Sequence, residues 1–268
     1  MKKLLAIATL GLLVVTAGAA DMKLGLQAWT YRDLSLCQAI ARAEQLDVHH
    51  LEAFPGQAIG AGLPGKMGPD LDETTRKAVL ERAKAAHVTI SSLGVTKADD
   101  EAGWRKLFAF AKSMGISTIA SEPKESDLPL LDKLTAEYGI RVAIHNHPKP
   151  SHYWNPDIVL AAIKDCSPRI GACADTGHWV RSGLDPIECL KKLKGRIIEL
   201  HFKDLTKRSG HDVPWGTGTS NAAGQIAELK RQKFSGNVLI EYEHSTGSPE
   251  LMGKLRACME FFNKAVAE

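Results

Sequence analysis

Asp175 and His178, in the run Ala174-Asp175-Thr176-Gly177-His178, are a carboxylate and an imidazole three residues apart at the end of a short apolar stretch. Ile170 to Ala174 has the small, apolar composition of a strand buried on both faces, so the pair stands where strand gives way to loop. Such a pair can converge on one metal ion or one substrate. The alternative is an Asp that caps the next turn and a His satisfied by a backbone carbonyl. What favours convergence is recurrence. Glu52 lies near the end of the apolar run His49–Phe54, Glu122 follows Ile116–Ala120, and His145 and His147 follow Arg141–Ile144. His201 and Lys203 close the run Arg196–Phe202, and Glu241 closes Asn237–Tyr242. Carboxylates and imidazoles crowded at buried strand ends need a common partner, and a divalent cation is the simplest. Mixed nitrogen and oxygen ligands suit manganese, zinc or cobalt, whereas a pure carboxylate cage would suit magnesium or calcium.

Two further apolar runs, Lys23–Trp29 and Val88–Gly94, bring the strands to eight, and amphipathic stretches alternate with them. Helices are predicted over Ser35–Gln45, Asp72–Ala86, Glu101–Met114, Ser126–Tyr138, Pro156–Lys164, Asp185–Leu193, Asn221–Gln232 and from Ser248 onward. Leu36, Ile40 and Ala43 form a helical stripe, Gly115 and Gly139 act as helix stops, and Pro186 and Pro249 occupy first helical positions. Strict alternation means a parallel sheet, and eight units in roughly 250 residues fit an α/β fold of one closed (β/α)8 TIM barrel. A doubly wound open sheet is the alternative, but no G-x-G-x-x-G follows the first strand. In a barrel the C-terminal strand ends and their loops form the active face. Trp29, Trp154, Trp179 and Trp215 end or follow strands; they would serve as platforms for a sugar ring, or else roof the core. Trp104 is expected in the core. The Gly- and Pro-rich loop Pro55–Pro69 is long enough for a lid. Arg181 and Arg32 are candidates for binding an anionic substituent.

The opening residues 1–20 carry Lys2 and Lys3, an apolar core from Leu4 to Val15 and a small-residue cleavage site, the pattern of a secretory signal peptide. The expected mature domain is 21–268, exported to the bacterial periplasm, with no membrane attachment after cleavage. The net charge of +3 is spread without a basic block, which gives no support for nucleic acid or an anionic membrane as partner. Five cysteines without paired spacing exclude a disulfide scaffold and read mostly as small buried hydrophobes.

The D-T-G-H of Asp175–His178, the H-x-K-D of His201–Asp204 and the E-x-E-H of Glu241–His244 together resemble the xylose isomerase-like barrel superfamily. That group includes sugar epimerases, inosose dehydratase, hydroxypyruvate isomerase, 3-dehydroshikimate dehydratase and endonuclease IV. The resemblance implies one divalent metal, manganese first and zinc or cobalt next, with Asp175, His201 and Glu241 as ligands. Where the superfamily often has a Glu on strand five, this chain has His145; either His145 or Glu122 completes the metal shell. The implied chemistry is abstraction of a proton beside a carbonyl, giving an enediolate. His147, Glu52 and Lys203 are candidate bases or acids, and His178 would orient a ligand or touch substrate. The function this implies is a metal-dependent sugar isomerase or epimerase acting on a free sugar or sugar derivative. A lyase or dehydratase eliminating from a 3-keto-glycoside or keto-cyclitol uses the same proton abstraction. A non-catalytic sugar-binding barrel and an endonuclease IV-like nuclease are readings from other classes, the latter opposed by the modest charge.

Overall fold

The structure, a computed structural model, describes residues 20–244 and 247–268. The segment read as a signal peptide lies outside the described residues, apart from Ala20. Eight parallel strands close on themselves: β1 (Asp21–Gln27), β2 (His50–Ala53), β3 (Thr89–Thr96), β4 (Thr118–Ser121), β5 (Arg141–His145), β6 (Ile170–Asp175), β7 (Ile197–Phe202) and β8 (Ser235–Ile240). Each pairs with its neighbours in the chain, and β1 pairs with β8 to seal the cylinder. Around it run α1 (Leu36–Gln45), α2 (Glu73–Ala85), α3 (Glu101–Ser113), α4 (Leu128–Tyr138), α5 (Pro156–Ala162), α6 (Thr176–Arg181), α7 (Pro186–Lys192), α8 (Ala222–Arg231) and α9 (Leu251–Ala267). This is the expected (β/α)8 barrel, with every anticipated strand and helix present. The unanticipated helix is α6, which starts directly at the end of β6.

Local chemistry starts these helices. Ser35 and Gln38 form a reciprocal capping box on α1, and Asp72 accepts from the Thr75 amide at 2.8 Å. Asp100 does the same for Gly103 at 2.8 Å. Each such cap is worth about 1 kcal/mol. Gly139 ends α4 at φ 71, a backbone conformation that costs a residue with a Cβ. Leu36, Ile40 and Ala43 are buried, as their spacing predicts, in the large core between sheet and helices.

Strand alternation places the site. Inward side chains recur every second residue, so Ala120, Ala143 and Cys173 share a face with Glu122, His145 and Asp175. Small residues below leave room inside the cylinder for ionisable groups above. The segment Pro55–Pro69 folds into a short hairpin, Ala58–Gly60 against Leu63–Lys66, with Ile59 and Met67 buried. Those two side chains anchor it to the core, and Pro55 at its start lines the cavity described below. All five cysteines are free, four of them buried. Among the described residues no helix is long and apolar enough to cross a membrane.

Candidate metal centre

Four side chains from four strand ends converge. His145 of β5, Asp175 of β6, His201 of β7 and Glu241 just past β8 are all buried, and one ligand atom from each lies within 4.8 Å of every other. Register explains part of this: Asp175 stands opposite His201 across the β6–β7 pair. Asp175 divides its oxygens. Its Oδ1 accepts from the His178 amide at 2.7 Å and so caps α6, while Oδ2 faces the cluster, 3.7 Å from His145 Nε2. Asp175 thus caps α6 with one oxygen and turns the other toward the cluster. Gly177 permits the tight turn into α6, because a Cβ there would lie 2.7 Å from the Cβ of Lys203.

Each imidazole of the cluster is backed by a carboxylate. His201 Nε2 donates to Glu52 Oε2 at 2.9 Å, leaving Nδ1 toward Glu241. His145 Nδ1 donates to Glu122 Oε1 at 3.1 Å, leaving Nε2 toward Asp175. Glu122 also accepts from His147 Nδ1, from the His147 amide at 3.0 Å and from Ser151 Oγ at 2.8 Å. Such partners fix an imidazole's tautomer and direction. Glu52 thus stands behind the converging atoms, while Glu122 also forms a second group with His145 and His147, whose ligand atoms lie within 4.8 Å of one another.

Lys203 is wholly buried, its Nζ 2.7 Å from Asp175 Oδ2, 2.8 Å from Glu241 Oε2 and 3.3 Å from Glu243. Burial opposes its charge, but those carboxylates hold the ammonium well above the usual lysine range, so it is a fixed cation. Burial likewise opposes ionisation of Asp175 and Glu241, and is outweighed by His178 and Lys203 at Asp175 and by Lys203 and His201 at Glu241. Both carboxyls lie well below their ordinary range. Burial would lower His145 and His201; hydrogen bonds donated by the imidazole to Asp175 and Glu122 raise the first, and Cys173, Glu52 and Glu241 raise the second. A cation arriving among them has to displace protons. His178 goes the other way: burial, helped by Lys203 and His145, holds it well below the histidine range despite Asp175. Its Nδ1 accepts from Arg181 at 3.0 Å, which turns Nε2 toward Asp175 Oδ2 at 3.4 Å.

A cavity of about 320 Å³ opens above the cluster, lined on one side by His145, His147, His178, Glu241 and Glu243 and on the other by Trp29, Phe54, Pro55 and Val95. Trp29 is 40% exposed and meets Phe54 edge to face at 5.0 Å. The other strand-end tryptophans do not line it. Trp179 and Trp215 are 1% and 3% exposed, turned into the core by α6 and by the loop after β7. Trp154 lies beneath the ammonium of Lys149, 3.7 Å from its ring centre. Glu52 and Lys203 do not reach the cavity either, being fully buried below its floor. Arg181 is committed to His178, to Glu243 at 2.9 Å and to Asp212 at 3.3 Å, leaving no fork for a substrate anion. Arg32 donates to the Glu243 carbonyl at 3.1 Å.

Asp212, Glu243 and Glu199 were not among the expected site residues. Glu243 belongs to the E-x-E-H run and lines the cavity. Asp212, pushed up to about 6 by burial, arrives on a loop organised by Asp204, whose carboxylate accepts from four amides, those of Leu205, Gly216, Gly218 and Ser220. Glu199 lies two residues below His201 on the inward face, and burial beside Glu52 pushes it up to about 8. The alternation of β7 is the one sequence signal that points to it.

The donors present fit a divalent ion. His201 Nδ1 and Glu241 Oε2 stand 3.1 Å apart, buried, without the alignment of a hydrogen bond to any partner. Two imidazole nitrogens and two carboxylate oxygens are a donor set for zinc, manganese or cobalt. Comparison with known proteins agrees with the fold. The chain belongs to the xylose isomerase-like TIM barrel family, whose profile matches residues 40–264. It is similar to an inosose dehydratase from Lacticaseibacillus casei, 24% identical over 216 residues, covering 69% of this chain and 70% of that one. Among solved structures it is similar to an uncharacterised protein from Parabacteroides distasonis, with 36% identity, a TM-score of 0.76, and 91% and 99% of the two chains covered. The fold is shared with the IOLI protein solved with a bound zinc atom, at 16% identity and a TM-score of 0.72, covering 92% and 98%.

Proposed function

We propose that this chain is a divalent-metal-dependent sugar isomerase or epimerase that removes the proton beside a carbonyl of a free sugar or sugar derivative, through an enediolate. The observation that carries this reading is the convergence of His145, Asp175, His201 and Glu241, with a carboxylate behind each imidazole. On this reading those four residues hold the ion, and Glu122 supports His145 instead of replacing it. A bound divalent ion, manganese, zinc or cobalt, supplies a Lewis acid for a carbonyl and its neighbouring hydroxyl.

His147 is the base. Its Nδ1 is tied to Glu122, so Nε2 is presented to the cavity, an arrangement in which the carboxylate steadies the imidazolium that forms. Lys203 and Glu52 are positioning residues: the first ties Asp175 to Glu241, the second orients His201. His178 turns Nε2 toward Asp175 and stays neutral. Trp29 offers its face to a sugar ring opposite the ionic wall.

Elimination is the second reading. It is favoured by the inosose dehydratase relative, and a 3-keto-glycoside or keto-cyclitol would enter by the same proton abstraction. Export belongs to the same proposal; N-terminal sequencing of secreted material tests it. The chemistry is tested by incubating manganese-loaded protein in deuterium oxide with ketoses and with 3-keto-glycosides. Exchange of one carbon-bound proton supports the reading, release of the aglycone selects elimination, and no exchange with any substrate contradicts it. His147→Gln should lower exchange roughly 10²–10⁴-fold while leaving metal content intact.

A further inference from the structure

The charge around the cavity specifies its ligand. Six carboxylates surround the converging atoms: Glu52, Glu122, Asp175, Asp212, Glu241 and Glu243. Two fixed cations, Lys203 and Arg181, stand among them, and both are consumed by ion pairs below or behind the cavity wall; a third, Arg32, lies outside the lining, where it donates to the Glu243 backbone carbonyl at 3.1 Å and stands over the Trp29 ring at 5.7 Å. A divalent ion added to this set leaves it formally negative. Among the described residues that line the cavity there is no Lys or Arg, whereas Glu241 and Glu243 are present. Glu243 is held facing the cavity from three sides. Arg181 donates to its carboxylate at 2.9 Å, Lys203 stands 3.3 Å away, and its own amide donates to Asp212 at 2.7 Å. Opposite lies the apolar wall of Trp29, Phe54 and Pro55.

We infer that the site takes an uncharged hydroxylated carbonyl compound and rejects phosphorylated and carboxylated ones, with Glu243 as the residue that sets this choice. Glu243 accepts a hydroxyl hydrogen from a neutral ligand and repels an anionic substituent placed there. The apolar wall receives a ring face or an uncharged substituent. Arg181 and Lys203 are already paired with Glu243 from behind, so a phosphate ester would meet its carboxylate with no lysine or arginine of the lining to pair with the phosphate itself, and like charges at close range cost binding heavily. This rests on the enolising reading above, because it takes the ligand to chelate at the metal.

The test compares dihydroxyacetone with dihydroxyacetone phosphate, which share one chelating carbonyl–hydroxyl pair and differ in the phosphate. Dissociation constants come from paramagnetic relaxation of ligand protons by the manganese-loaded protein. The expected result is dihydroxyacetone binding roughly tenfold or more tightly than its phosphate. Glu243→Gln, of unchanged shape and checked for manganese content and melting temperature, should narrow that ratio several-fold, mainly by improving phosphate binding. Equal or tighter binding of the phosphate by the wild type overturns the inference and leaves the enolising site standing. An unchanged ratio in Glu243→Gln overturns the role of Glu243. Relaxation of neither ligand, with manganese bound, overturns both the inference and the reading beneath it.

Discussion

The two mouths of the barrel hold cavities of nearly equal volume, about 320 Å³ at the C-terminal end and about 310 Å³ at the N-terminal end. Size does not distinguish them; the surroundings of their charges do. The lower cavity is edged by Lys23, His50, Arg141 and hydroxyls of Thr89, Ser91 and Ser117, several of them exposed to water. His50 is the group there with a displaced titration, lowered by burial and by Lys23. At the upper mouth burial is nearly complete, and Asp175, His178, His201, Lys203 and Glu241 are all displaced because each is forced to answer its neighbours rather than solvent. Polar residues at a strand end become a reactive centre when water is removed from around them.

The largest effect expected from this contrast follows removal of an upper ligand. Asp175→Asn should abolish metal binding and exchange, whereas Arg141→Ala at the lower mouth should leave both within about twofold. Lys203→Met comes next. It strands two buried carboxylates and should destabilise the metal-free protein by roughly 3–5 kcal/mol. Added metal should restore much of that loss, a rescue read by melting with and without manganese. Glu52→Gln and Glu122→Gln should each weaken metal affinity by roughly 10–100-fold, measured by competition with a chelator.

The pH dependence is the smaller and more diagnostic effect. The raised His145 and His201 contribute stability to the metal-free protein below about pH 6.5, and this is lost as pH rises through their folded values. Metal needs both imidazoles unprotonated, so the metal-induced rise in melting temperature should be larger at about pH 8 than at about pH 6. A rise independent of pH would place the ion elsewhere.

Much of this was legible in the chain. Alternation of apolar runs and amphipathic stretches gave all eight strands, because a parallel barrel repeats one unit and each unit carries its own caps and stops. Strand-end position located Asp175, His201, His145 and Glu241, because every barrel strand delivers its last inward residue to the same mouth. Direction was the part that could not be read. Glu52 ends β2 as plainly as Glu241 follows β8, yet it lies behind His201 instead of among the four converging side chains. Trp179 follows Asp175 by four residues, and the short helix α6, started by Asp175 itself, carries it into the core. Arg181 looked available because its three partners come from α6, from the loop after β8 and from the loop after β7, which meet in space alone.

Calorimetric titration of the metal-stripped chain with manganese or zinc, run alongside Asp175→Asn and His201→Ala, tests the central claim most directly. The structure predicts one ion per wild-type chain, proton release on binding, and no binding in either variant that still folds. Wild-type protein that binds no ion, or variants that bind it as well as wild type, would contradict the assignment of this mouth as a metal centre.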